Sequence, residues 1–599
     1  MSSSGLAGPF GPPYPVTGAW FKDRYSYEEW NQTLHQFSLQ GGDSVILRAP
    51  PVQLTTRQEL VDNPNFKWCV KRHENGSSSH CVDDAFRELS DLDVNVVTLL
   101  TYQYEERFEA ASMLACEQYD KMIVADRIYM RLVLPHNKTN KCDYRNTNVT
   151  VLFTSFAGTD PHELLLDAAH EYKMAVYFGV PGLPSSAMKT QKLSSQPIFT
   201  SYSLFLERVL ESHSVKYSNR SLLKGYFLSD DFNMPMPSKG AHFDILKYTY
   251  QTVKKHNKQF GVDNVVNTNK LLGGNQLGDI INSFRAIATQ SDVISVRDGR
   301  GSGLTALFWE TQRSRDIQSV DPTLFNILQN KIPSLITNAT TFQDVYNNST
   351  SEVFDALAKE RDDISKTSNS SFVLWLNIEA YDELHSDDLC LPVDRAGSGV
   401  GRMLNKITKP RVDHVLTHAG TAVQKIVSLA WDPSFTCTTK DHPYPLRSQI
   451  VSDMGRPIIS RCFFHSSFNR SVVVIGYNLE GETQGFTVDW PNVNGHRVKN
   501  DRVYGYYFEL DWGRQHGRIE SLEYVQMYDP YDVISLAPKG YVNIKANNSY
   551  NGCSFVYDFT NKSDESLKND SRKLRKNFVR EKQKPVRRVE AQDTPFTSN

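Results

Sequence analysis

At 599 residues the chain is too long for one ordinary hydrophobic core, so two domains with insertions are expected. It is 39% hydrophobic and 22% charged with a net charge of −2, the balance of a folded soluble protein. That balance argues against a general nucleic-acid binder, because neutralising phosphates needs a basic surface. No run approaches ~18 uninterrupted apolar residues, so no transmembrane helix is expected.

The N-terminus, Met1-Ser-Ser-Ser-Gly5 and a Pro/Gly-rich run, lacks the charged-then-apolar layout of a signal peptide. Residues 1–17 read as an N-terminal segment, with any leader absent or removed. Two features favour a secreted or lumenal setting over the cytoplasmic alternative. The eight cysteines (Cys69, Cys81, Cys116, Cys142, Cys390, Cys437, Cys462 and Cys553) are even in number and lack zinc-site spacing. Pairing of sequential neighbours, Cys69 with Cys81 and Cys116 with Cys142, is the simplest expectation. Asn-x-Ser/Thr sequons at Asn31, Asn75, Asn137, Asn148, Asn219, Asn338, Asn348, Asn369, Asn469, Asn547 and Asn561 offer glycan acceptors.

In chain order, Tyr27 to Phe37 reads as an amphipathic helix with Trp30, Leu34 and Phe37 on one face. Ser44 to Arg48 is the expected first strand. Residues 50–148 then break the alternation with four cysteines, two helical stretches and a hairpin around Ile128 to Leu134, and read as an insertion. The series resumes with Val149 to Phe153 as strand two and Met174 to Val180 as strand three. Strand four is Leu223 to Ser229, strand five a weak run within Phe260 to Asn267, and strand six Asp292 to Asp298. Strand seven is Ser371 to Ile378 and strand eight Lys425 to Trp431. Helices intervene at Pro161 to Tyr172, Tyr202 to Ser212, Lys239 to Lys255, Leu277 to Ala288 and Arg411 to Gln424, with a long helical excursion over Trp309 to Ser368.

Eight such strands give the count of a (β/α)8 TIM barrel over residues 18–440, interrupted by a long disulfide-containing insertion after strand one. A doubly wound sheet is the alternative, although no dinucleotide fingerprint follows strand one. Residues 441–560 change to short strands between turns, the pattern of an antiparallel β-sandwich accessory domain. Residues 561–599, with eleven Lys/Arg against six Asp/Glu, read as a disordered basic tail.

Strands four and seven end abruptly on carboxylates, at Asp230-Asp231 and at Glu379. In a barrel these ends share the rim on which the fold carries its chemistry. Alternation places Gly225, Phe227, Ser229 and Asp231 on one face of strand four, and Val373, Trp375, Asn377 and Glu379 on one face of strand seven. Two facing carboxylates are what glycosidic cleavage needs. Asp231 is the expected general acid/base, with Asp230 the alternative, and Glu379 the expected nucleophile of a retaining mechanism. Capping of following helices is the other reading of such carboxylates. Asp298, Asn377, Trp431 and Trp375 complete the candidate set as substrate contacts. An Asp-Gly turn at Asp298 and a core position for Trp431 are equally consistent with the sequence.

These motifs resemble an uncharacterised family of glycoside-hydrolase-type TIM barrels, a domain of unknown function 4434-like group. Gly225 to Asp231 is similar to its Gly-aromatic-Tyr-Ile-Pro-x-Glu strand end, with Ser229 for Pro and Asp231 for Glu. Val296-Arg297-Asp298-Gly299 resembles its Gln-Asp-Gly turn with Arg297 for Gln, and Trp375-Leu-Asn377-Ile-Glu379 matches its Trp-x-Asn-Val-Glu strand end. The resemblance covers residues 18–432 without the insertion and implies a glycosidase-like barrel.

Other chemistries find less in the sequence. His162-Glu163 and His170-Glu171 begin a zinc-protease helix but lack the second His, so no metal is expected. No Gly-x-Ser-x-Gly elbow, phosphate loop or Cys-x-x-Cys occurs, so no cofactor is expected. The expected function is a carbohydrate-active enzyme acting on a glycan, with a non-catalytic extracellular glycan-binding or structural protein on a degenerate barrel as the alternative.

Overall fold

The computed structural model describes residues 13–560 except 73–77, 138–141, 184–196, 230, 237–239, 368–370, 384–403, 406, 439–442, 466–470, 481–484 and 528–535. The basic tail and Asp230 therefore lie outside the described residues.

Eight parallel strands close into a barrel: β1 (Val16–Phe21), β2 (Ser44–Leu47), β3 (Ala175–Val180), β4 (Leu223–Leu228), β5 (Gln259–Val266), β6 (Val293–Arg297), β7 (Val373–Ile378) and β8 (Lys425–Ser428). Closure is made by β8 against β1, with Gly18 opposite Val427, and each strand pairs with the next in sequence order. Helices α1 (Tyr27–Ser38), α2 (Pro161–Tyr172), α3 (Pro197–Lys216), α4 (Ala241–Lys255), α5 (Leu277–Ala288), α6 (Thr350–Thr367) and α7 (Lys409–Ala419) pack outside. The outer core runs from Trp30, Leu34 and Phe37 of α1 through Leu165 of α2 to Leu416 of α7.

The first two strands differ from expectation. β1 is Val16–Phe21, a short buried segment without the alternation that marks a strand. Its Gly18 is fixed by close approach, since a Cβ there would lie 2.5 Å from Val427 Cγ1. Val149 to Phe153, expected as barrel strand two, belongs instead to the insertion, within a strand over Asn148–Phe156. That strand runs parallel to Asn95–Tyr102 and antiparallel to Ile128–Pro135, in a separate five-stranded sheet. The insertion thus follows β2. One strand missed and one wrongly included cancel, so strands four and seven keep their numbers.

The insertion has its own core, around Phe66, Tyr129 and Phe153, which includes Cys69, Cys81 and Cys116 of two disulfides. These are Cys69–Cys81 and Cys116–Cys142, with Cα separations of 5.4 and 5.5 Å, the sequential pairing expected. The C-terminal strands form two antiparallel sheets that share one long strand, Arg497–Glu509. Phe486, Val488, Val474, Val525 and Ile544 fill the space between, and Cys462–Cys553 ties the opposite edges together. Cys437 is also disulfide-bonded. The sandwich seats on the barrel through Ser460 Oγ, which donates to the Leu416 carbonyl at 2.7 Å, and through Trp309, which packs against the sandwich core.

Among the described residues, no helix is long and apolar enough to cross a membrane.

Candidate functional site

The barrel interior has two tiers, set by the alternation of inward residues. The lower tier is an apolar plug of Trp20, Ile46, Tyr177, Phe227, Val293, Trp375 and Val427. Gly261 leaves room for it, because a Cβ at that position would meet the Phe227 ring at 2.5 Å. Above the plug the same faces turn polar, with Asp263 on β5, Ser295 and Arg297 on β6, and Asn377 and Glu379 on and beyond β7.

Asp263 organises this tier. Its Oδ1 accepts from Ser295 Oγ at 2.7 Å and from Asn377 Nδ2 at 2.8 Å, and its Oδ2 accepts from Arg297 Nε at 2.8 Å. The same guanidinium ion-pairs Asp231 through Nη2. Burial alone would weaken the charge on Arg297, but Asp263, Asp231 and Glu379 together outweigh it and raise its pKa. Asp231 and Glu379 therefore sit at one end of the barrel, Asp231 in contact with Arg297 and Glu379 within range of its charge. Asp231 is the accessible member, its side chain 39% exposed.

Glu379 is only 2% exposed. Ser302 covers it, donating its backbone N–H to Oε2 at 2.8 Å and its hydroxyl to Oε1 at 3.1 Å. The turn carrying Ser302 packs close because residue 301 is Gly, where a Cβ would fall 2.4 Å from the Tyr381 carbonyl. Burial raises the Glu379 pKa against the opposing pull of Arg297 and the Ser302 donors. Its neighbour Asp298 is pushed up to about 7, by burial first and then by the charge of Glu379. Arg300 braces the turn from behind, donating to Asp382 Oδ1 at 2.5 Å and to the Glu379 carbonyl at 3.0 Å.

The four expected substrate contacts are all buried. Trp431 is 1% exposed, stacked on Phe21 and Phe435 with Phe37 at its edge, so neither face is free for a sugar. Trp375 belongs to the apolar plug below the site. Asn377 is buried and spends its amide N–H on Asp263. Asp298 is buried as a turn anchor, its Oδ1 accepting from the Glu379 and Arg300 amides. Asp263 and Ser302 were not among the expected residues. A polar pair, Asp263-Asn264, inside the apolar run of strand five was the available signal.

Comparison with known proteins adds the following. Residues 55–156, most of the insertion, match the model of a family described as a domain of unknown function (DUF8405). None of the curated proteins matches the chain. Solved structures similar to it include a "putative alpha-L-fucosidase" from Bacteroides thetaiotaomicron VPI-5482, at 11% identity and TM-score 0.37, covering 76% of this chain and 98% of that one. Another is a GH27 β-L-arabinopyranosidase from Geobacillus stearothermophilus, at 9% identity and TM-score 0.30, covering 86% of this chain and 97% of that one. A glucosidase from Croceicoccus marinus matches at 7% identity and TM-score 0.25, covering 61% and 81%. The barrel itself rests on the strand pairing above.

Proposed function

We propose that the protein hydrolyses glycosidic bonds at the C-terminal mouth of its barrel, through Asp231 and Glu379 in a retaining mechanism. The observation behind this reading is Arg297, which ion-pairs Asp231 and whose charge also acts on Glu379. In this reading the roles expected from sequence are exchanged. Glu379, raised by burial, suits the proton donor, and Asp231, ion-paired and exposed, suits the nucleophile. Glu379 gives its proton to the glycosidic oxygen as the bond from the anomeric carbon breaks, and Asp231 Oδ forms an ester to that carbon. Water then cleaves the ester, its proton passing to Glu379.

The resemblance to domain of unknown function 4434-like barrels belongs with this reading through Trp375, Asn377 and Glu379, while Asp231 and Arg297 depart from that pattern. The disulfides and sequons support a secreted or lumenal glycoprotein.

A second reading, glycan binding without hydrolysis, is favoured by one observation: Glu379 lies sealed beneath Ser302. Release of sugar from a panel of aryl glycosides and oligosaccharides by the wild type, Asp231→Asn and Glu379→Gln separates the two. Hydrolysis predicts wild-type turnover and losses of about 10²-fold or more in both variants. Saturable binding with no turnover by the wild type would establish the second reading instead.

A further inference from the structure

Outside the barrel wall, three ligating side chains from three separate elements meet in a fully buried setting. Glu106 comes from the insertion, just past its strand Asn95–Tyr102. His162 stands at the start of α2 and His213 near the end of α3. One donor atom from each lies within 4.8 Å of the others. Their exposures are 3%, 1% and 3%.

The distances suit a bound ion. His162 Nδ1 lies 3.7 Å from Glu106 Oε1, and the donors around a tetrahedral zinc are separated by about 3.3–3.5 Å for bonds of about 2.0–2.1 Å. His213 Nε2 contacts the same Glu106 oxygen, and admitting an ion opens that contact by roughly an ångström. Asp160 stands 3.6 Å from His162 Nδ1 but is already committed, to the His162 amide at 2.8 Å and to Lys216 Nζ at 2.7 Å. It therefore acts as an outer charge.

A second observation points to the same place. Both ring nitrogens of His162, Nδ1 of His213 and the hydroxyls of Tyr104 and Tyr217 are buried with no hydrogen-bond partner among the described residues. These rings pack around one point, with His162 5.4 Å from both Tyr104 and His213, and Tyr217 5.6 Å from His213. Each buried polar group left without a partner costs about 1–3 kcal/mol, and five in one locus are out of proportion to a purely apolar joint.

We propose that Glu106, His162 and His213 bind one divalent transition-metal ion of the zinc type, which pins the insertion to α2 and α3. Two neutral imidazoles and one carboxylate are a ligand set such ions accept, with a fourth position for water facing the tyrosine hydroxyls. The sequence could show His162 only as half of a zinc-protease pattern. Its partners lie 56 residues upstream (106 to 162) and 51 downstream (162 to 213).

The test uses the full chain purified without chelator. Elemental analysis should find about one equivalent of zinc-type metal per chain, and dipicolinate should lower the thermal midpoint until one equivalent of Zn²⁺ restores it. Replacement by Co²⁺ should give the visible absorption of a tetrahedral centre. His162→Phe, which suits its aromatic surroundings, should fold and lose both the metal and the chelator response. If that variant fails to fold, the Co²⁺ spectrum of the wild type carries the test alone. Metal-free wild type with a midpoint indifferent to chelator and Zn²⁺, or metal retained in folded His162→Phe, would overturn the proposal.

Discussion

Arg297 on β6 bridges Asp231, beyond the end of β4, and Asp263, inside β5, with a single guanidinium. This fork links an accessible carboxylate at the rim to a fully buried one in the barrel, and the stability of the upper tier depends on it.

Arg297→Met leaves Asp263 buried without its cation, and breaking a buried pair from one side costs about 3–5 kcal/mol. Urea denaturation should show that loss. The double variant Arg297→Met/Asp263→Asn should recover most of it, because the neutral side-chain carbonyl it introduces can still accept from Ser295 or Asn377. A double variant no more stable than the single would show that the ion pair is not the source.

Asp298 sets a pH signature. Its folded pKa, about 7, lies above the unfolded value of about 3.8, so the folded state binds the proton more tightly. The group's penalty is absent below about pH 4, grows as the pH rises, and is complete above about pH 7. Asp298→Asn removes a titration while keeping an acceptor for the two amides. Its stability relative to wild type should improve from about pH 4 to about pH 7 and level off above that. A constant difference across that range would contradict the assignment.

The disulfide Cys462–Cys553 closes a segment of 91 residues across the sandwich. Loop-closure entropy puts its contribution at about 4–5 kcal/mol. Cys462→Ser/Cys553→Ser should lower the unfolding midpoint of the sandwich, measurable as an earlier transition in guanidinium. No change would mean that sheet packing alone holds the two edges.

Of the two positions the sequence allows Trp431, at a sugar or in the core, the structure has it in the core against Phe21, Phe37 and Phe435. Trp431→Ala should cost about 3–5 kcal/mol of stability while leaving glycan affinity per folded molecule unchanged. A selective loss of affinity in a stably folded variant would return Trp431 to the site.

The legible parts of this fold were those with a one-dimensional signature. β3, β4, β6 and β7 are apolar runs of ordinary length, and the parity that groups Phe227 with Asp231 and Trp375 with Glu379 is the parity of the barrel interior. β1 was hidden because six residues, five of them buried, after a Pro/Gly-rich run show no alternation. Val149 to Phe153 misled because it is an apolar strand followed by a helix, and only its partners, Asn95–Tyr102 in parallel and Ile128–Pro135 antiparallel, set it apart from a barrel strand. Asp263 was missed because polar residues facing a polar interior weaken the strand signal of β5. The burial of Trp431 and the cover of Ser302 over Glu379 depend on residues distant in sequence, which periodicity does not encode.

The most direct test of the central claim is to trap the intermediate. A 2-deoxy-2-fluoro glycosyl fluoride of a sugar that the protein cleaves should leave one glycosyl group on the peptide containing Asp231, identified by mass spectrometry. Glu379→Gln should still accumulate that adduct, since fluoride leaves without a proton. Labelling at any other residue, or undiminished turnover in Asp231→Asn, would contradict the account.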